Sequence, residues 1–486
     1  MEIRPNASVA IVGAGTMGVG IAQVAAAAGH DVTVLDTNRD ALERGRAGLD
    51  ASLDGAVARG RLTAAARSAI RQRVRWADDL APAAGAALVI EAIVEDLAAK
   101  RRLFGELARI VGGDTVLASN TSSLGIGTIA EGFPAGGRFI GLHFFNPVPA
   151  MKLVEIVAGP ETDPAVLAAA ADLMRAWGKV PVQARDVAGF IVNRVARPFY
   201  AEGFLALSEG IEPALIDAAM TEAGGFRMGP LALADMIGHD VNYAAARSVF
   251  DVGFGVPRFR PQPAQRRLVE QGRLGRKAGA GVYDHSAPLP RPPYALAEGR
   301  PTRVLVAQAG LLHPLLDAAR AAGVRVACDE ALPFETLDVD GVRLALGDGR
   351  TLAARPEVDV ILDHVRDFAC AGTMLFTARS DAAGEIAAGL LAATGRRAIS
   401  VPDRPGQLVL RTLAQLANAA ADTIMDGIAS AEDVETAMRH GANHVEGPLG
   451  WVDRIGSDRV RTALGHIACL TADALYTPSP LFGRDH

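Results

Sequence analysis

The sequence predicts an α/β protein: an N-terminal domain on a parallel sheet, an all-α domain, a small α/β module, and a second, degenerate copy of the all-α domain. Three observations carry this prediction. Short apolar runs alternate with helical patterns over residues 1–184. An almost purely helical pattern then occupies 185–284. Two motifs from that helical stretch return near the C-terminus, which marks an internal duplication.

The first strand is read at Ser8 to Val12, followed by the apolar helix Val19 to Ala28 and a second strand, His30 to Asp36. Between the first strand and the helix stand Gly13, Gly15, Thr16, Met17 and Gly18. A lone G-x-G-x-x-G is weak evidence. With a strand before it, a helix after it and Asp36 closing the next strand, it becomes the dinucleotide-binding fingerprint of a Rossmann domain. Gly13 permits the tight turn, Gly15 lets a pyrophosphate approach the backbone, and Gly18 packs helix on strand. The helix N-terminus offers free N–H groups to the phosphates. Asp36 accepts ribose hydroxyls and repels a 2′-phosphate, so NAD is expected over NADP, and Arg39 reads as a solvated surface charge. A purely structural glycine turn is the alternative.

Asp40 to Trp76 reads as a helical hairpin rich in arginine (Arg44, Arg46, Arg59, Arg61, Arg67, Arg71, Arg73, Arg75). Such a face is ordinarily just solvated, yet beside a nucleotide site it could hold a second phosphorylated ligand. Ala87 to Ile93 is a continuous apolar strand of the parallel-sheet kind. Glu95 and Lys100 follow near its carboxyl end, and the strand Thr115 to Ser119 leads into Asn120.

Ile140 to Phe145 and Leu153 to Val157 read as two short strands joined by Asn146-Pro-Val-Pro. A hairpin there brings His143 and Glu155 together. A buried imidazole whose second nitrogen is held by a carboxylate is a good general base. The competing reading is a core histidine satisfied by backbone. Against it, the glycine loop, Asp36, Glu95, Ser119, Asn120 and His143 all fall at carboxyl ends of strands, where open α/β sheets bind ligands.

From Thr162 the pattern turns helical, with a last strand opening at Lys179. In the helical domain, Asn193 is a polar residue in an apolar stretch and needs partners, which a substrate, the histidine pair or the core itself would supply. Lys277 lies in the basic, glycine-rich loop that closes the domain. A proline-rich linker covers 285–300 and the small α/β module 301–401, which lacks a glycine fingerprint. In the second copy, 402–486, Asp186 to Arg194 is echoed by Asp403 to Arg411, and Gly229 to Gly238 by Gly447 to Gly456. Leu410 stands where Asn193 stands in the first copy, so this copy reads as structural. The two copies are expected to pack on one another within the chain, and a homodimer is also open.

The net charge of -6, from 49 basic and 55 acidic residues, excludes an electrostatic nucleic-acid binder. Cys328, Cys370 and Cys469 lack metal-ligand spacing and are expected to be reduced, buried thiols of a cytoplasmic protein. No signal peptide, membrane span or metal site is expected.

With these residues in view, the chain resembles the L-3-hydroxyacyl-CoA dehydrogenase family. The resemblance runs from Val9 to about Tyr283 and is carried by the glycine loop, Glu91-Ala-Ile-Val-Glu95, Ser119-Asn-Thr-Ser-Ser123, His143-Phe-Phe-Asn-Pro147 and Gly189-Phe-Ile-Val-Asn-Arg194. The second helical copy looks like the long bacterial form, which includes 3-hydroxybutyryl-CoA and 3-hydroxyadipyl-CoA dehydrogenases, the latter from phenylacetate catabolism. The resemblance implies NAD as cofactor, an acyl-CoA substrate, and a place in fatty acid metabolism and β-oxidation. It implies His143 as base with Glu155, and Ser119 and Asn193 on the substrate's oxygens. It also implies Asp36, Glu95, Lys100, Ser119, Asn146 and Lys277 on NAD, and Ser52 and Arg59 on coenzyme A, with Arg59 standing where the family has a lysine. A dehydrogenase of a free hydroxy or sugar acid, or a non-catalytic NAD-binding structural protein, are the competing readings.

Overall fold

The computed structural model describes residues 6–132, 135–253, 255–297 and 299–483. The chain forms two compact units, one of residues 1–193 with 426–443, the other of 194–425 with 444–486.

The first unit is built on eight strands: β1 (Val9–Val12), β2 (Val32–Leu35), β3 (Val74–Ala77), β4 (Leu88–Glu91), β5 (Val116–Ser119), β6 (Phe139–Phe144), β7 (Leu153–Ala158) and β8 (Val180–Arg185). Their order across the sheet is β3-β2-β1-β4-β5-β6-β7-β8. The strands from β3 to β6 run parallel; β7 turns back antiparallel to β6, and β8 runs parallel to β7. Every residue of β1, β4 and β5 is buried, as a sheet covered on both faces requires. The first crossover helix, α1 (Thr16–Ala27), lies against β1 and β2 with Ile21, Ala22, Ala25 and Ala26 fully enclosed.

The arginine-rich segment forms α2 (Arg39–Ala58) and α3 (Ala64–Arg73), started by the Asn38 and Thr63 caps. Val74 to Trp76, expected at the end of a helical hairpin, instead belong to β3, which pairs parallel with β2. The β-branched and aromatic side chains there fit a pleated edge. Arg67 pairs with Asp54 and Arg71 with Asp50, tying the two helices together, while Arg46 lies over the Trp76 ring. Two of the eight arginines are thus paired within the hairpin. Helix Ala431–Gly441 joins this unit by packing on β7 and β8; a Cβ on Gly441 would come within 2.5 Å of Leu153.

In the second unit, helix Arg197–Ser208 packs along helix Val409–Met425, and their apolar faces share one core that includes Phe199, Phe204, Leu410, Leu413 and Ala417. At this contact Glu202 and Arg411, each 2 % exposed, form an ion pair of 2.9 Å, and Tyr476 donates to Glu202 at 2.7 Å. The duplication is visible in the backbone. Helices Pro230–Ile237 and Pro448–Ile455 both end on a glycine in the same unusual conformation, Gly238 at φ 101° and Gly456 at φ 95°. The turns before each repeat also match: Gly189 and Phe190 have φ 79° and 45°, Gly406 and Gln407 have φ 73° and 52°.

A second sheet completes this unit: β9 (Arg303–Val306), β10 (Arg325–Cys328), β11 (Thr336–Val339), β12 (Val342–Leu346), β13 (Val360–Leu362), β14 (Thr373–Ala378) and β15 (Arg397–Ser400). Their order is β10-β9-β11-β12-β13-β14-β15. β13, β14 and β15 repeat the orientation of β6, β7 and β8, an antiparallel then a parallel pair. In the turn that follows β9, Leu311 N–H donates to the buried Glu335 carboxylate (2.8 Å), which also pairs with Arg459 (2.5 Å).

The three cysteines are exposed, not buried as expected. Cys328 ends the edge strand β10, where one face is open to solvent. Among the described residues, no helix is long and apolar enough to cross a membrane.

Candidate active site

The carboxyl edge of the first sheet gathers most of the polar residues singled out above. β6 and β7 pair in the register that sets His143 directly across from Glu155. His143 Nδ1 lies 2.6 Å from Glu155 Oε2, and the two residues are 6 % and 0 % exposed. The other Glu155 oxygen accepts N–H bonds from Ile191 (3.0 Å) and Val192 (2.9 Å). Those donors can only donate, so both carboxylate oxygens are committed and the ring is held by Nδ1. Nε2 meets no hydrogen-bond partner among the described residues. The ring packs near Phe145 (4.5 Å between centroids) and Phe190 (5.7 Å). Phe190, in the left-handed region, is a strained residue in the turn that delivers the two amides to Glu155.

The glycine loop has the geometry a pyrophosphate needs. A Cβ on Gly13, whose φ is +115°, would come within 2.5 Å of the Ala92 carbonyl, and one on Gly18 within 1.9 Å of the Gly13 carbonyl. Above Gly15 there is open space, and this residue caps α1 with no side chain bonded to the helix's first N–H groups. Thr16 is exposed and Met17 half-buried at that helix start. Asp36 is oriented by two backbone amides, Ala14 N–H (2.9 Å) and Asn38 N–H (2.9 Å), while Arg39 pairs with Asp78 at the surface. These residues fit the NAD ribose and pyrophosphate.

A cleft of about 400 Å³ opens between α1, α2 and the turn after β6, lined by Gly15, Gln23, Arg44, Ser52 and Asn146 among others. Ser52 donates to Gln23 (2.8 Å). Arg59 is not part of this lining; it is exposed at the end of α2 and folds back over Gly55, so Arg44 is the cation that faces the cleft. Lys179 donates to the carbonyls of Val148 (2.5 Å) and Met151 (2.7 Å), bracing the turn that carries Asn146, and burial pushes its ammonium down to about 8.

Glu91, in the buried end of β4, organises the remainder. Its Oε1 accepts from Lys100 Nζ (2.5 Å) and Ile93 N–H (2.8 Å), and its Oε2 from the Ser119 hydroxyl (2.6 Å). Lys100 is 1 % exposed and reaches Glu95 at 3.2 Å, so its buried ammonium bridges the two carboxylates. Glu95 accepts from the Thr121 hydroxyl (2.6 Å), Ser123 hydroxyl (2.9 Å) and Ser122 N–H (3.0 Å). Burial alone would raise the Glu95 carboxyl, but Lys100 and these donors outweigh it and hold it below its ordinary value. Asn120 accepts from Phe144 N–H (2.9 Å) and so locks the ends of β5 and β6 together.

Asn193 sits on the short helix Val192–Val195, half-buried, directly after the amides that bind Glu155. Lys277 belongs to the second unit, where its ammonium pairs with Asp240 at 2.6 Å. Sequence reasoning gave Glu91 and Lys179 no role. For Glu91 the signal was present, an acid in an otherwise apolar strand; Lys179 carries no comparable mark.

A mostly parallel sheet with a glycine loop at its first crossover and a His–Glu pair across its β6–β7 hairpin defines an NAD-dependent dehydrogenase fold. Residues 8–187 match the profile of the 3-hydroxyacyl-CoA dehydrogenase NAD binding domain. The profile of that enzyme's C-terminal domain matches twice, at 189–285 and 406–484. The chain is 39% identical, over 98% of its length and 96% of the relative's, to 3-hydroxyadipyl-CoA dehydrogenase of Escherichia coli (strain K12). It is 38% identical to the mitochondrial hydroxyacyl-coenzyme A dehydrogenase of Rattus norvegicus, over 57% of this chain and 90% of that one. A solved structure of 3-hydroxybutyryl-CoA dehydrogenase from Escherichia coli K12 superposes with a TM-score of 0.89 at 37% identity, covering 98% of this chain and 97% of that one. The protein belongs to the 3-hydroxyacyl-CoA dehydrogenase family.

Proposed function

We propose that this protein reversibly oxidises an L-3-hydroxyacyl-CoA to the 3-ketoacyl-CoA, with His143 as general base. The observation that supports this most is the buried His143–Glu155 pair, joined at 2.6 Å with the second ring nitrogen left for a reactant. Bound NAD supplies the acceptor for the hydride that leaves C3. His143 takes the hydroxyl proton at Nε2 and returns it in the reverse direction. Glu155 holds the ring by Nδ1 and so fixes the tautomer that presents Nε2 to the substrate. The half-buried Asn193 amide holds a substrate oxygen, and Ser119 contacts ligand beside it; Asp36, Glu95 and Asn146 serve the cofactor. In this reading Lys100 acts through Glu95.

Coenzyme A is assigned to the cleft beside α2, with Ser52 and Arg44 in its wall; Arg59, at the C-terminal end of α2, stands outside that wall. The relatives' names point to a short acyl chain, with or without a distal carboxylate. The segments 1–184, 185–284, 301–401 and 402–486 are read as the working domains, the last a structural copy that packs where a partner subunit otherwise would. A cytoplasmic location fits three exposed, unpaired thiols.

The test is steady-state turnover across a panel of 3-hydroxyacyl-CoAs and the matching free hydroxy acids, with free coenzyme A as competitor. Turnover of the thioesters and competition by coenzyme A are expected. Preference for a free acid, or NAD binding without turnover of any member, would overturn the reading.

A further inference from the structure

We propose that Glu91 is a positioning residue that makes Ser119 a hydrogen-bond acceptor towards the ligand, so that Ser119 favours the alcohol over the ketone. The inference rests on the acyl-CoA dehydrogenase reading and deepens it. It follows from counting donors. Lys100 and the Ile93 amide can only donate, and both point at Glu91 Oε1, at 2.5 and 2.8 Å. The carboxylate's other oxygen, Oε2, accepts as well, from the Ser119 hydroxyl. The 2.6 Å contact to Ser119 therefore spends the only hydroxyl proton that Ser119 has. Thr121 N–H, at 3.2 Å, takes one lone pair of the same oxygen. A single lone pair remains. Ser119 can receive a hydrogen bond from a substrate hydroxyl or a carboxamide N–H, but it has none to give to a ketone oxygen. That oxygen depends on the protonated His143 and the Asn193 amide.

Glu91→Gln inverts this polarity without changing shape. Lys100 and Ile93 N–H still require an acceptor, so they fix the new amide oxygen at the Oε1 position. The NH2 group then faces Ser119, which accepts from it and releases its own proton to the ligand. The readout is equilibrium affinity in dead-end ternary complexes, where no turnover occurs: acetoacetyl-CoA with NAD, and L-3-hydroxybutyryl-CoA with NADH. The ratio of the two dissociation constants should shift towards the ketone by about 5- to 10-fold in Glu91→Gln, the worth of one hydrogen bond. In Ser119→Ala, the alcohol complex should weaken by a similar factor while the ketone complex is unmoved. In the double variant the Glu91 substitution should no longer shift the ratio.

A residue that merely supports the fold would move both affinities together, and that result in either single variant overturns the proposal. If the unaltered protein binds neither thioester, the dehydrogenase reading fails first and this inference falls with it. The two failures are thus distinct.

Discussion

Glu155→Gln separates the chemistry proposed for the His143–Glu155 pair from its packing. In the native site Glu155 Oε2 accepts the Nδ1 proton of His143, which leaves a lone pair on Nε2. Glu155 Oε1 accepts from the Ile191 and Val192 amides at 3.0 and 2.9 Å. In the glutamine variant those two amides hold the carbonyl oxygen, so the NH2 group must face Nδ1. Nδ1 can meet it only by accepting, and the ring proton moves to Nε2. The base then has no lone pair where the substrate hydroxyl arrives. General-base assistance of about 10² to 10⁴ in rate is lost. Stability changes by less than about 1 kcal/mol, because both buried amides keep an acceptor. Glu155→Ala should behave differently, since each amide left unpaired costs about 1–3 kcal/mol. Oxidation of L-3-hydroxybutyryl-CoA followed at the nicotinamide absorbance gives the rate, and urea unfolding gives the stability. A glutamine variant that turns over at the native rate would refute the tautomer argument. So would one whose activity falls only in step with its stability.

Other outcomes follow from single contacts. Gly18→Ala places a methyl 1.9 Å from the Gly13 carbonyl, so the loop must shift; NAD affinity by fluorescence titration should fall about 10- to 100-fold, the equivalent of 1–3 kcal/mol of overpacking. Arg411→Met leaves Glu202 buried without its cation, at about 3–5 kcal/mol of stability by chemical denaturation, yet kcat under native conditions should hold. Burial pushes the Asp363 carboxyl up to about 6 although it accepts from the amides of Leu408, Val409 and Leu410. Its protonated form is favoured by folding, so its contribution is complete below the unfolded value near 3.8 and is lost as pH rises through 6. The unfolding free energy of the native chain relative to Asp363→Asn should fall by roughly 3 kcal/mol between about pH 3 and 7.

Much of the first unit was legible because its signals are local. The glycine loop, the apolar strand runs and the twelve-residue spacing of His143 and Glu155 each need only a short window, and the hairpin register does the rest. What escaped depends on contacts far apart in sequence. Val74 to Trp76 looked like the end of a helix until β2 offered an edge to pair with. The hairpin of β11 and β12 turns on Asp340 and Gly341, both at positive φ, an Asp-Gly signal that sequence reasoning passed over. The cysteines were judged by residue type, but Cys328 lies at a sheet edge, where neighbours rather than hydropathy set exposure. Ser119 was expected on the substrate's oxygens and on NAD; its hydrogen bond to Glu91, a residue 28 positions away, was not readable. Within the duplicated half, the loss of Asn193 at Leu410 was readable. That Asp363 caps the matching amides, from a different strand than Glu155 does, was not.

The most direct test of the account is hydride transfer in His143→Gln. The native chain should reduce NAD with L-3-hydroxybutyryl-CoA, and the variant should lose at least about 10² in kcat while its NAD affinity stays unchanged. Native-like turnover in the variant would contradict the central claim, as would a native chain that binds NAD and the thioester but transfers no hydride.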